Sequence, residues 1–166
     1  MINDHPLPIH SIKIKKLKSL LTILRNSVRS ENHLFRNLYA DENGKEIDIL
    51  ENGQNSCAAF VSWILLALGL IKSPHSTVFS TEKDLKSTDW YETKDLRPGS
   101  IIVWEVKSGT MLGDNKVPHP HMGFYVGDNM AISNDSSLGY STKHHYTYDN
   151  TRKIDKIYWH PELDKE

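Results

Sequence analysis

The stretch Asn55-Ser56-Cys57-Ala58-Ala59-Phe60-Val61-Ser62-Trp63-Ile64-Leu65-Leu66-Ala67-Leu68-Gly69-Leu70 decides how the rest of the chain is read. From Ala58 to Leu68 the only polar residue is Ser62, so a helix here is apolar on every side. Such a helix belongs in the middle of a domain. The run is too short to span a bilayer, which needs about 20 apolar residues. It is too long and too rich in Ala and Leu for a strand. Asn55 or Ser56 suits the cap at its start, and Gly69 suits the left-handed residue just past its end. Cys57, the only cysteine of the chain, then falls in the first turn. Unpaired amides and the helix dipole favour negative charge there and lower a thiol pKa. One reading of this thiol is a nucleophile; the other is a small buried side chain.

Around this helix the composition is that of a soluble globular protein, with 38% hydrophobic and 25% charged residues in 166. That length suits one domain, read as residues 1–166 with a helical extension over 1–33 and a core over 34–160. A net charge of −1 creates no global field for nucleic acid, so no nucleic-acid partner is expected. A single cysteine excludes an internal disulfide and a multi-cysteine zinc site. Met1 to Pro8 lacks the basic-then-apolar pattern of a signal peptide. The expectation is a cytoplasmic protein, or one exported by a route that needs no such signal. No stable membrane insertion is expected, and the chain is read as a monomer.

Taken in order, Ser11 to Arg29 reads as an amphipathic helix. Ile14, Leu17, Leu20, Leu21, Leu24 and Val28 make its apolar stripe, with lysines and arginines mostly elsewhere. Leu34–Ala40 and Glu46–Leu50 read as two strands around Asp41-Glu42-Asn43-Gly44, since Asn-Gly is a strong hairpin signal. Thr81 with Asp84 suggests a capped helical turn, and Trp90 and Tyr91 suggest packing against the core. Asp95 to Gly99 turns the chain into a strand over Ser100–Glu105, and a polar loop follows from Lys107 to Pro120. His121–Val126 and Met130–Asn134 read as the next strands, and residues 144–148 and 152–159 as a closing hairpin around Asp149-Asn150. Helices first, then an antiparallel meander, make an α+β fold with the central helix on one face of the sheet.

A thiol nucleophile needs a base, and the base needs an orienting partner. His121 opens a strand, and Gly123 on the same face would leave room above it. A two-residue turn at Asp128-Asn129 would pair Gly123 with Asn134 and set Asn134 diagonal to His121. A bulge in that turn would flip the parity and bring Ser133 or Asp135 there instead. The expected triad is Cys57, His121 and Asn134.

Three blocks, Asn55-Ser-Cys57-Ala-Ala-Phe-Val61, Leu96-Arg-Pro-Gly-Ser-Ile-Ile-Val-Trp104 and His121-Met-Gly-Phe-Tyr-Val-Gly127, resemble the NlpC/P60 cysteine peptidases and the related CHAP amidases. The resemblance covers roughly residues 50–135, with the cysteine before the histidine as in the unpermuted members. It implies a papain-like fold and hydrolysis of peptide or amide bonds, usually in bacterial peptidoglycan. The chain departs from the family pattern at Ser56 and Ser100, where members commonly carry Asp. It departs again at Ser133, where many carry a second histidine. The alternatives to a wall hydrolase are a papain-like hydrolase acting on an isopeptide, a cytosolic peptide or an acyl bond, and a non-catalytic binding domain on the same fold. No cofactor is expected. His119 with His121 and the pair His144-His145 lack an acidic residue at a metal-binding spacing, so no metal is expected either.

Overall fold

The structure, a computed structural model, describes residues 13–106 and 119–165. Ser11 and Ile12 of the expected first helix, and most of the expected loop from Lys107 to Pro120, lie outside the described residues. The chain runs as helix α1 (Lys16–Ser27), hairpin β1 (Tyr39–Glu42) and β2 (Lys45–Asp48), helices α2 (Cys57–Ala67) and α3 (Val78–Ser87), and strands β3 (Tyr91–Thr93), β4 (Ile101–Trp104), β5 (His121–Gly127), β6 (Met130–Asp135), β7 (Tyr140–His145) and β8 (Ile154–Trp159). This is a mixed α+β fold with antiparallel sheets. None of the described helices is long and apolar enough to cross a membrane.

The mostly apolar helix α2 is buried over Cys57–Ser62, Ile64 and Leu65, and Trp63 and Ala67 reach solvent. Phe60 sits edge-on between Phe35 and Phe124, with ring centroids 5.7 and 6.2 Å away. Gly69 takes φ 62°, the left-handed conformation that ends a helix. Helix α1 packs Leu20 and Leu24 fully into the same core and leaves Lys13, Lys15, Lys18, Arg25 and Arg29 exposed. Ile14 lies outside that stripe and is exposed.

Helix α3 is one turn longer at its start than Thr81 and Asp84 suggest. Thr77 caps it, its Oγ1 accepting from the Ser80 amide at 3.1 Å. Asp84 serves instead as an acceptor for the Ser73 amide and a partner of His75, both within 3.0 Å. Trp90 is buried and donates to the Leu70 carbonyl at 2.7 Å, whereas Tyr91 is exposed.

The main sheet has the order β3-β8-β4-β5-β6-β7. Strands β4 to β6 form the expected meander, but the strand expected over 144–148 runs instead over Tyr140–His145 as β7, and β7 and β8 are not a hairpin. β7 ends the sheet against β6, and β8 crosses to the far side of β4. β4 is buried throughout, so the backbone groups on its second edge need a partner, and β8 supplies it. On one face Ile101, Val103, Met122, Phe124 and Ile132 pack against α2. On the other, Ile102, Trp104 and Ala131 pack with Tyr125, Tyr146, Tyr148 and Ile154.

The loop that launches α2 is held by backbone. Asp48 accepts from the amides of Leu38, Leu50 and Asn52, and Gly53 takes φ 89° against Gly139. A Cβ on Gly53 would lie 2.5 Å from the Gly139 Cα and 2.6 Å from its carbonyl oxygen. Gly53→Ala therefore combines a left-handed alanine with a backbone clash. Urea unfolding of this variant should show a loss of about 2 kcal/mol or more; a loss below about 0.5 kcal/mol would mean the two loops part easily.

Candidate active site

Cys57 is the first residue of α2, as its position after Gly53-Gln54-Asn55-Ser56 requires. Ser56 is the cap residue, yet its side chain accepts nothing from the helix amides. Its hydroxyl instead donates to the Gly53 carbonyl at 2.9 Å. The amides of the first turn are thus left without a side-chain cap and lie beside the thiol. Burial pushes the Cys57 thiol above its ordinary value of 9.0. The amides of Met122, Ala58 and Cys57 itself, and the positive charge of Arg152, pull the other way without offsetting it. The expected lowering by the helix start is present in kind and outweighed in size.

Strand β5 alternates. Met122 and Phe124 face α2 and belong to the cluster that holds Cys57, while His121 faces the opposite side, its ring 5.5 Å from that of Trp104. Among the described residues no hydrogen bond joins Cys57 to His121. The sulfur meets β5 at its opening residues, where the Met122 amide acts on it. It lines a cleft of about 540 Å³ with His119, Pro120, Asn55, Glu51 and Phe79. His121 borders a second, polar cavity of about 250 Å³ with Asp135, Ser137, Tyr148 and Arg152.

The neighbour of His121 is Ser133, not Asn134. Nε2 of His121 lies 2.9 Å from Ser133 Oγ. The reason is register: β5 pairs Phe124 with Ile132 and Tyr125 with Ala131, then shifts so that Gly127 pairs with Met130. That extra residue is a bulge, and it moves every β6 side chain to the other face relative to an unbulged turn. Asn134 consequently points toward the start of α2, its Nδ2 donating to the Gly53 carbonyl at 2.8 Å. Asp135 closes the next turn, accepting from the amides of Ser137 and Leu138. Gly123 leaves no room for a substrate. A Cβ there would lie 2.6 Å from both the Ile132 carbonyl oxygen and the Ser133 Cβ, so glycine is what lets Ser133 reach His121.

Residues to which the sequence reading gave no catalytic part, His144, Tyr148 and Arg152, complete the group. Ser133 Oγ also lies 2.9 Å from His144 Nε2 and 3.0 Å from the Tyr148 hydroxyl. The rings of His144 and Tyr148 are stacked, 4.0 Å between centroids. Arg152 is anchored by its Nε donating to the Glu105 carbonyl at 2.9 Å. Burial holds the His121 imidazole well below its ordinary value, and the charges of Arg152, His144 and His119 add to that. Burial also keeps the Tyr148 hydroxyl protonated, its pKa pushed up to about 12. His144-His145 was visible as a dipeptide, but only the pairing of β6 with β7 aims His144 at Ser133. Among the described residues no group of three His, Cys, Asp or Glu side chains is placed to hold a metal ion.

No protein-family model matches this chain, and no curated protein matches it.

The buried histidines set the response to acid. Above pH 6.5 His121 is neutral folded and unfolded, so it costs nothing. As the pH falls through 6.5 the unfolded chain takes up a proton that folded His121 refuses. Stability then drops by up to about 1.4 kcal/mol per pH unit for each such group. His144 and His160, lowered mainly by burial, act in the same direction. Urea titrations between neutral and mildly acidic pH should show this slope, shallower in His121→Asn by about one proton. Equal slopes for the two proteins would contradict a neutral, buried His121.

Proposed function

We propose that this protein is a papain-like cysteine hydrolase that cleaves peptide or amide bonds, with peptidoglycan peptides as its substrate class. The observation that carries the reading is the meeting of the start of α2 with the start of β5. A cleft-lining thiol lies beside the Met122 amide, one residue from a histidine whose Nε2 is held by Ser133. The peptidoglycan substrate rests on the resemblance of the three sequence blocks to the NlpC/P60 and CHAP families.

In this reading the resting pair is a neutral thiol and a neutral imidazole, because burial opposes the charged form of both. Substrate in the cleft brings Cys57 Sγ and His121 Nδ1 together; catalytic contacts often tighten only in the bound complex. Nδ1 takes the thiol proton as sulfur attacks the carbonyl. The amides at the start of α2 stabilise the oxyanion. The imidazolium returns the proton to the departing amine, leaving a thioester, and His121 then activates the water that hydrolyses it. Ser133 holds the imidazole in place throughout.

The rival reading is a non-catalytic binding domain. It draws on the burial of Cys57 and on the absence of a hydrogen bond from Cys57 to His121. Mass analysis of peptidoglycan after incubation separates the two. The wild-type protein should release fragments with new amino and carboxyl ends, and Cys57→Ala should release none. Ser133→Ala should lower turnover by about 10- to 1000-fold, because orientation contributes less than bond formation. Fragments released equally by Cys57→Ala, or none from the wild type, would end the hydrolase reading.

A further inference from the structure

The hydroxyl of Ser133 touches three partners, and one hydrogen must be shared among them. His121 Nε2 lies at 2.9 Å, His144 Nε2 at 2.9 Å and the Tyr148 hydroxyl at 3.0 Å. A serine hydroxyl donates once and accepts twice. Where its hydrogen goes is decided elsewhere, on the far side of His144. There Nδ1 of His144 lies 2.9 Å from the carbonyl oxygen of His145. A carbonyl only accepts, so Nδ1 carries the hydrogen of the neutral ring. Nε2 of His144 is therefore a bare lone pair and must receive the Ser133 hydrogen. Ser133 is left as an acceptor toward its other two partners. Tyr148 donates to it, and so does His121, through Nε2–H.

We infer that His144 is a positioning residue that acts through Ser133 to hold His121 in the Nε2–H tautomer, leaving Nδ1 as its basic nitrogen. The inference deepens the proposed hydrolase, because Nδ1 is the nitrogen that must take the thiol proton of Cys57. The opposite tautomer would put hydrogen on that atom and leave His121 without a free lone pair, Nε2 being engaged by Ser133. A hydroxyl at position 133 alone does not make this choice, since it can rotate to donate to His121. The choice is made by the chain His145 carbonyl, His144, Ser133, His121, together with the stack of Tyr148 on His144, 4.0 Å between centroids.

Several features keep the chain in this state. Burial holds His144 below its ordinary value, and only the neutral ring can accept from Ser133. The groups that bear on His144 besides Ser133 and Tyr148 are His145, Asp135, Arg152 and His121, with the Trp104 ring 5.6 Å away. Tyr148 stays protonated for the reason given above, so it remains a donor.

The test is long-range proton–nitrogen NMR on protein labelled in its histidine side chains, recorded in mildly alkaline buffer where buried histidines are neutral. His121 should show hydrogen on Nε2 and His144 hydrogen on Nδ1, each assigned by the spectrum of its own variant. His144→Phe keeps a ring to stack on Tyr148 and removes the acceptor. In it the Ser133 hydrogen turns to His121, which should switch to the Nδ1–H form. Turnover should fall by about 100-fold or more, up to the roughly 10⁴-fold that a wrong-tautomer base costs a catalytic triad. His144→Gln, whose Oε1 again offers an acceptor, should recover most of that loss. Hydrogen on His121 Nδ1 in the wild type overturns the inference, and this reading stands even if His144→Phe does not fold. A His121 tautomer unchanged in His144→Phe overturns it too. The NMR result needs no substrate. A tautomer switch that leaves turnover unchanged would uphold the role of His144 and count against His121 as the base of the proposed hydrolase.

Discussion

Strand β5 has two faces, and the arrangement of the site follows from which residues take which face. Met122 and Phe124 close over α2 and bring the sulfur of Cys57 against the strand. His121, Gly123 and Tyr125 take the other side. There a second, aromatic-rich layer buries the imidazole and forces it to be neutral. The two chemical groups thus meet at the open end of β5, where the Cys57 charge is felt by Tyr148 and Arg152 on the His121 side. Glycine at 123 is the price of bringing β6 near enough for a serine to touch the histidine. One larger side chain there would push Ser133 away and leave His121 without its hydrogen-bond partner.

Burial governs the chemistry as much as geometry does. A helix start favours a thiolate, but a thiol only 6% exposed at the edge of a cleft has little water to solvate its charge. The amides of Met122, Ala58 and Cys57 and the guanidinium of Arg152 reduce that penalty and do not remove it. His121 is disfavoured as a cation by the same dryness and by Arg152. Both shifts favour the uncharged pair; in the proposed reaction the proton would therefore move during attack and not beforehand.

What was legible in the sequence was local. Sixteen residues from Asn55 to Leu70 specify a buried helix through composition alone, and Gly69 ends it as glycine must. Asn43-Gly44 forms the hairpin its dipeptide announces, both residues at positive φ. The α+β class follows from these pieces. What was not legible was pairing at a distance. Nothing in residues 144–159 says that β8 will leave β7 and cross to β4, because the demand for it comes from the unpaired edge of β4. The register of β5 on β6 turned on one residue. Asp128-Asn129 is the expected two-residue turn, both residues at positive φ between paired Gly127 and Met130, but β5 carries a bulge between Tyr125 and Gly127 ahead of it. That single residue exchanges Asn134 for Ser133 beside His121. His144 and Tyr148 became part of the site only once β7 was paired with β6 and the chain had folded back over it.

Cys57 is the only thiol, so the ultraviolet absorbance of its thiolate, taken as wild type minus Cys57→Ala, reads its ionisation directly across the pH range. A neutral thiol beside a neutral imidazole predicts no thiolate signal around neutral pH and a rise only above the ordinary thiol value of 9.0. A thiolate signal already present at neutral pH, and lost in His121→Ala, would show a standing ion pair and contradict the account.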